Sequence, residues 1–166
     1  MVDRVLVAVD DSPLGRDALA YALDVFPGAD VVAAHVAFLE YDMLPSDTAE
    51  AFEVDLDDLD GIGDDTAQSV FEGIRSVVDD EDQSVVDDGT DRREAGASGS
   101  ETAGGDVTVT FLTGDPEDRL VEYTEAGGFD HVVLGTHGRD GVSRLLIGSV
   151  AEGVVRRTDV PTTLVK

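Results

Sequence analysis

The chain has 166 residues, 42% of them hydrophobic but only 5% aromatic, with no Trp and no Cys. That fits one compact domain with a core of Val, Leu, Ile and Ala, and it excludes disulfides, thiolate zinc sites and a cysteine nucleophile. Asp and Glu number 37 against 11 Lys and Arg, a formal net charge of −26, so nucleic-acid phosphates and anionic membranes are repelled as partners.

The opening MVDRVLVAVD enters a strand pattern at once. That leaves no room for a signal peptide, and no apolar run approaches the roughly 20 residues that cross a bilayer. A soluble cytoplasmic domain is the expectation. Val5–Val9 reads as the first strand. Ser12 is placed to cap a helix, Pro13 suits its first turn and Gly28 follows its end. Leu14, Ala18, Tyr21, Ala22 and Val25 then share one face of a helix over Ser12–Phe26, and Val31–Phe38 follows as a second strand.

The connection from Phe38 to Asp106 is longer than one crossover requires. Ala67, Val70, Phe71, Ile74, Val77 and Val78 form a helical stripe that supplies the crossover helix. Ala49, Phe52, Leu56 and Leu59 form a weaker one. Residues 79–105 combine like charges with Gly, Ser and Ala and read as a mobile loop, a solvated insertion or a lid. No internal repeat is present.

Val107–Leu112 is the third strand. Asp115 caps the next helix, Pro116 opens it and Gly127-Gly128 stops it. His131–Leu134 is a strand, Ser149–Arg157 a helix, and Thr162–Val165 the last strand. The first and fourth strands are continuously apolar, as strands buried on both faces of a parallel sheet are. Alternating strands and helices make the fold class α/β with right-handed crossovers, one domain over residues 1–166.

Three readings of the acidic excess compete: a solvated face with a disordered segment, adaptation to a salt-rich cytoplasm, and a surface for a basic partner. Carboxylates hold hydrated cations, and high salt screens their repulsion. The even spread of acids and the single Lys, Lys166, favour the halophilic reading.

The stretch that carries chemistry is GTHGRDGVSRLLIGSV, residues 135–150. Gly135 and Gly138 form G-x2-G, and nine residues separate Gly138 from Gly148-Ser149. Glycines let backbone N–H groups approach an anion closely, and a helix opening at Gly148-Ser149 favours phosphate through its unsatisfied amides. Ligands of open α/β sheets bind outside the strand carboxyl ends. Two glycines can also simply make a turn, and Ser149 with Glu152 fits a capping box. By spacing alone, phosphate binding and a structural turn remain two readings.

The full pattern G-x2-G-x9-G-[ST] resembles the ATP-binding signature of the universal stress protein (UspA-like) family. VLVAVDDSP with Asp10, His35-Val36, VLGTHGR and the closing SVAEGVVRRTDVPTTLV resemble that family too, covering about 1–37 and 106–166. The resemblance implies an open five-stranded parallel sheet with helices on both faces, Rossmann-like, here with a long acidic insertion between strands 2 and 3. It implies a homodimer through the last strand, Thr162–Val165. It further implies ATP, with Mg²⁺ on the phosphates, as the bound adenine nucleotide. Val36 would meet the adenine and Asp10 the ribose or a metal-bound water. Gly135, Thr136, His137, Gly138, Arg139, Gly148, Ser149 and Val150 would wrap the ribose and phosphates.

His35 lies in a strand, where a hydrogen-bonded core histidine is the reading, and His131 and His137 are too scattered for a metal site. No catalytic base can be named and the phosphate loop has no lysine, so a nucleotide-dependent stress-response module is expected rather than an enzyme. The alternatives are a nucleotide-independent dimeric scaffold and a slow ATPase or phosphotransferase.

Overall fold

The computed structural model describes residues 1–37, 52–55, 65–84, 107–136 and 147–166. In chain order they form β1 (Arg4–Ala8), α1 (Pro13–Val25), β2 (Asp30–Ala37), β3 (Phe52–Asp55), α2 (Asp65–Ser84), β4 (Val107–Thr113), α3 (Pro116–Ala126), β5 (His131–Gly135), α4 (Ser149–Arg157) and β6 (Thr162–Val165). The sheet runs β3-β4-β2-β1-β5-β6. Five strands are mutually parallel, as the alternation of strand and helix predicts.

Because side chains alternate along a strand, each face of the sheet acquires its own core. Val5 and Val7 point to the side where Ala18, Leu19 and Ala22 of α1 and Val70, Phe71 and Ile74 of α2 are buried. Leu6 points to the other, with Leu120 and Val121 of α3 and Ala151 and Val154 of α4. Chain order runs outward from β1 through β2 to β4 on one side and from β5 to β6 on the other. The strand order therefore reverses between β1 and β5, the position where such sheets open a crevice at their carboxyl ends.

Three local expectations are revised. The buried stripe of α1 is Gly15, Ala18, Leu19 and Ala22, while Tyr21 and Val25 are 37% and 43% exposed. The helix is rotated because Gly15, with no side chain, lets its first turn settle on the β1–α1 corner. A Cβ there would stand 2.8 Å from Asp10 Oδ1.

Phe52–Asp55 is a strand rather than part of a helical stripe. It pairs antiparallel with β4, Phe52 opposite Phe111 and Asp55 opposite Thr108. F-E-V-D alternates apolar and acidic residues, a period-two pattern that suits the open edge of β4. Residues 79–84 are helical, continuing α2 to Ser84; the rest of the 79–105 stretch lies outside the described residues.

The amino edge of the sheet is fastened by charge and ring contacts. Asp130 Oδ2 accepts the amides of Asp3 and Arg4 at 2.9 and 3.0 Å, and these two bonds hold its carboxyl below the usual range. The Arg4 guanidinium lies 4.6 Å over the Phe129 ring. His131 Nε2 meets Thr163 Oγ1 at 2.9 Å and its ring sits 4.8 Å from that of Phe26. Burial pushes the His131 pKa down.

Candidate functional site

At the carboxyl edge, the chain leaving β1 turns through Val9, Asp10 and Asp11 into α1. Val9 N–H donates to Ala34 O at 2.9 Å. His35, buried in β2, reaches Val9 O with Nδ1 at 3.0 Å. A carbonyl only accepts, so Nδ1 carries the proton. His35 is thus the hydrogen-bonded core histidine expected, its ring 5.9 Å edge-on from Phe111.

Asp10 Oδ1 accepts the Ser12 amide at 3.1 Å and the Ser12 hydroxyl. Ser12 Oγ in turn accepts Gly15 N–H at 3.1 Å, capping α1. One oxygen of Asp10 is therefore fixed in the turn. Val36 stands half-buried near the end of β2, opposite Leu112.

The second half of the edge is the β5–α4 connection. Gly135 ends β5, and a Cβ there would lie 2.9 Å from Leu14 Cβ and 3.2 Å from Leu14 O. The first turn of α1 presses on this point, so packing by itself requires the glycine. Thr136, 2% exposed, donates its N–H to Val165 O at 2.8 Å and accepts Gly148 N–H at 2.7 Å. Its backbone thereby ties the end of β5 both to β6 and to the start of α4.

The helix start differs from expectation. Gly148, not Ser149, is the N-cap of α4, and among the described residues no side-chain cap closes the helix start. Ser149 is the first helical residue, so it does not serve as a capping-box serine. Its position follows from the Gly148–Thr136 bond, a contact between segments that sequence spacing does not report. Asp10, Val36, Gly135, Thr136, Gly148, Ser149 and Val150 are all described; His137, Gly138 and Arg139 lie outside the described residues.

Gly15 is the site-shaping residue that motif reading passed over. Its signal was its place in D-D-S-P-L-G, where a glycine inside a first helical turn needs a packing reason. Between α3 and α4, Arg157 bonds Asp118 and Glu117 at 2.5 and 3.2 Å, and those bonds raise its pKa. Among the described residues no group of three acidic, His or Cys side chains could hold a metal ion. Nor is any helix there long and apolar enough to cross a membrane.

A family profile described as the universal stress protein family matches residues 1–166. The chain belongs to that family. Universal stress protein MJ0531 of Methanocaldococcus jannaschii is 38% identical over 60 residues, 36% of this chain and 35% of that protein, so the match spans about a third of its length. Stress response protein NhaX of Bacillus subtilis is 27% identical over 173 residues, 99% of this chain and 98% of that one. Among solved structures, a universal stress protein in complex with cAMP superposes with a TM-score of 0.63 at 21% identity, covering 99% of this chain and 97% of that one. A family member from Arabidopsis thaliana with AMP bound gives 0.53 at 14%, covering 99% and 91%. Both share the fold of this universal stress protein.

Proposed function

We propose that this family member binds an adenine nucleotide, ATP with Mg²⁺, at the carboxyl edge between β1 and β5, and acts as a stress-response module that the nucleotide switches. The observation that carries the reading is the start of α4, which has no side-chain cap and is pinned to the end of β5 through Gly148 and Thr136. A helix start with no side-chain cap among the described residues leaves the first-turn amides of Ser149, Val150 and Ala151 suited to a phosphate. The cAMP and AMP held by two relatives are of the same ligand class. In this reading Val36 meets the adenine, the second oxygen of Asp10 the ribose, and Gly135 to Arg139 the ribose and phosphates. Mg²⁺ rides on phosphate oxygens.

Calorimetric titration with ATP and Mg²⁺ in high salt tests it, alongside Gly138→Val and Ser149→Glu. Saturable binding by the wild type that both folded variants lose is the expected result. A folded wild type that binds no adenine nucleotide sinks the reading. It would leave the nucleotide-independent scaffold, which the packing role of Gly135 against Leu14 already favours for that one glycine.

We further infer a homodimer through β6, the outer strand beside β5, whose four residues are each half-buried. Among the described residues β6 is an edge strand, and such an edge suits a second copy. Sedimentation at twice the 17.5 kDa chain mass is expected; a monomer at micromolar concentration overturns this. The net charge of −26 suits a salt-rich cytoplasm, where screening relieves its self-repulsion. A far-UV spectrum unchanged on dialysis from molar KCl to low salt would count against that setting.

A further inference from the structure

The last 28 residues, 139–166, hold five basic residues against three acids, in a chain whose net charge is −26. Two of the five, Arg156 and Arg157, occupy the last turn of α4, and both engage acids. Arg156 Nη2 meets Glu152 Oε1 at 2.7 Å. Arg157 reaches to α3, where Nη1 donates to Asp118 Oδ1 at 2.5 Å and Glu117 Oε1 at 3.2 Å.

Gly153 brings Glu117 close. A Cβ at that position would overlap the Glu117 carboxyl group, so the carboxylate lies directly against the α4 backbone. Gly153 is four residues past Ser149, about 6 Å along the helix axis. Glu117 and Asp118 belong to the first turn of α3, whose dipole favours acids there. The same two acids stand beside the helix whose first-turn amides form the phosphate seat, where they repel a phosphate.

We propose that Arg157 is a specificity-determining residue of that seat, neutralising the Glu117–Asp118 pair so that α4 can accept a highly charged phosphate chain. The inference rests on the adenine-nucleotide reading above. Arg157 acts through its field and touches no ligand. With it in place the three side chains carry one net negative charge; without it they carry two. Coulomb's law in water over about 8 Å, damped by one Debye length, turns that extra charge into about a fourfold loss for a ligand of charge near −4 and about twofold for one near −2.

The test is calorimetry with ATP and AMP in magnesium-free buffer, where they carry those two charges, at about 0.15 M KCl. Arg157→Gln is expected to weaken ATP about fourfold and AMP about twofold. Glu117→Gln leaves Arg157 facing Asp118 alone, and shifts the ATP:AMP preference the opposite way. The double variant returns it toward wild type, and raising KCl to about 1 M flattens every shift.

Equal factors for both ligands, or a shift of the same sign in both single variants, overturns the proposal and leaves the cluster a brace between α3 and α4. If Arg157→Gln does not fold, the sign of the Glu117→Gln shift decides alone. A folded wild type that binds neither nucleotide removes the seat itself. That failure is distinct from binding that ignores the nearby charge.

Discussion

Helices α1, α3 and α4 all begin at the carboxyl edge of the sheet, yet they begin differently. Ser12 Oγ accepts Gly15 N–H at the start of α1. Asp115 Oδ1 accepts the amides of Glu117 and Asp118 at 3.1 and 3.2 Å at the start of α3. At α4 the cap is Gly148, which offers no side chain, and its own N–H is turned back to Thr136. Two helix ends are closed by a side chain of their own N-cap, and the third, among the described residues, has no side-chain cap. Leaving a glycine there costs only a few tenths of a kcal/mol relative to a capping side chain.

The most direct way to break this contrast is to close α4 as α3 is closed. Gly148 has φ −65 and ψ 155, a conformation open to any residue. In Gly148→Asp the new carboxylate takes the first-turn amides and repels phosphate. ATP affinity is expected to fall at least about tenfold, or 1.4 kcal/mol, while the melting temperature holds or rises slightly. Unchanged affinity in the folded variant would mean that these amides are not the seat.

Opening the closed ends sharpens the contrast from the other side. Asp115→Ala is expected to cost about 1 kcal/mol, a drop of roughly 2–4 °C in melting temperature for a chain of this size, with ATP affinity unchanged. Ser12→Ala should cost a similar amount. It also frees the Asp10 carboxylate, which loses both its hydroxyl donor and a capped turn, and so lowers affinity as well. If scanning calorimetry and titration showed the two variants behaving alike, Ser12 would be a cap and nothing more.

The parts legible in the sequence are those whose causes are local. Ser12-Pro13 and Asp115-Pro116 mark helix starts because cap and first turn are contiguous, and β1, β2, β4, β5 and β6 follow from apolar runs between such marks. What stayed hidden depends on distant partners. S-V-A-E fits a capping box, but the Gly148–Thr136 bond accompanies a helix that starts one residue earlier than that box requires. Gly135 looks like a glycine kept clear for phosphate, and only the fold shows Leu14 pressing on it. Gly15 and Gly153 carry no motif at all; each is explained by the carboxylate that lies against it, Asp10 for one and Glu117 for the other. The short alternation F-E-V-D is too brief to outweigh a helical stripe until the open edge of β4 is there to pair with it.

The smallest effect belongs to the amino edge, where titration touches stability and not the ligand. Burial lowers the His131 pKa from its ordinary 6.5. The unfolded chain therefore takes up a proton more readily than the folded one as pH falls, and stability rises with pH across that interval. The contribution is complete above about pH 6.5 and is lost on acidification through the lower, folded value. Asp130 follows the same sign in a more acidic window. Its carboxyl is held below the ordinary 3.8 by the Asp3 and Arg4 amides, so its contribution is lost only as pH falls below that value. Melting curves between about pH 7.5 and 5 thus separate His131 from Asp130, and a variant separates it from the other histidines. His131→Gln keeps a polar group facing Thr163 Oγ1 but cannot titrate, so its curve should be flatter than that of the wild type, with ATP affinity measured at pH 7.5 unchanged. An equally steep curve in the variant would shift the acid sensitivity away from the β5–β6 junction and onto other titrating groups of the chain.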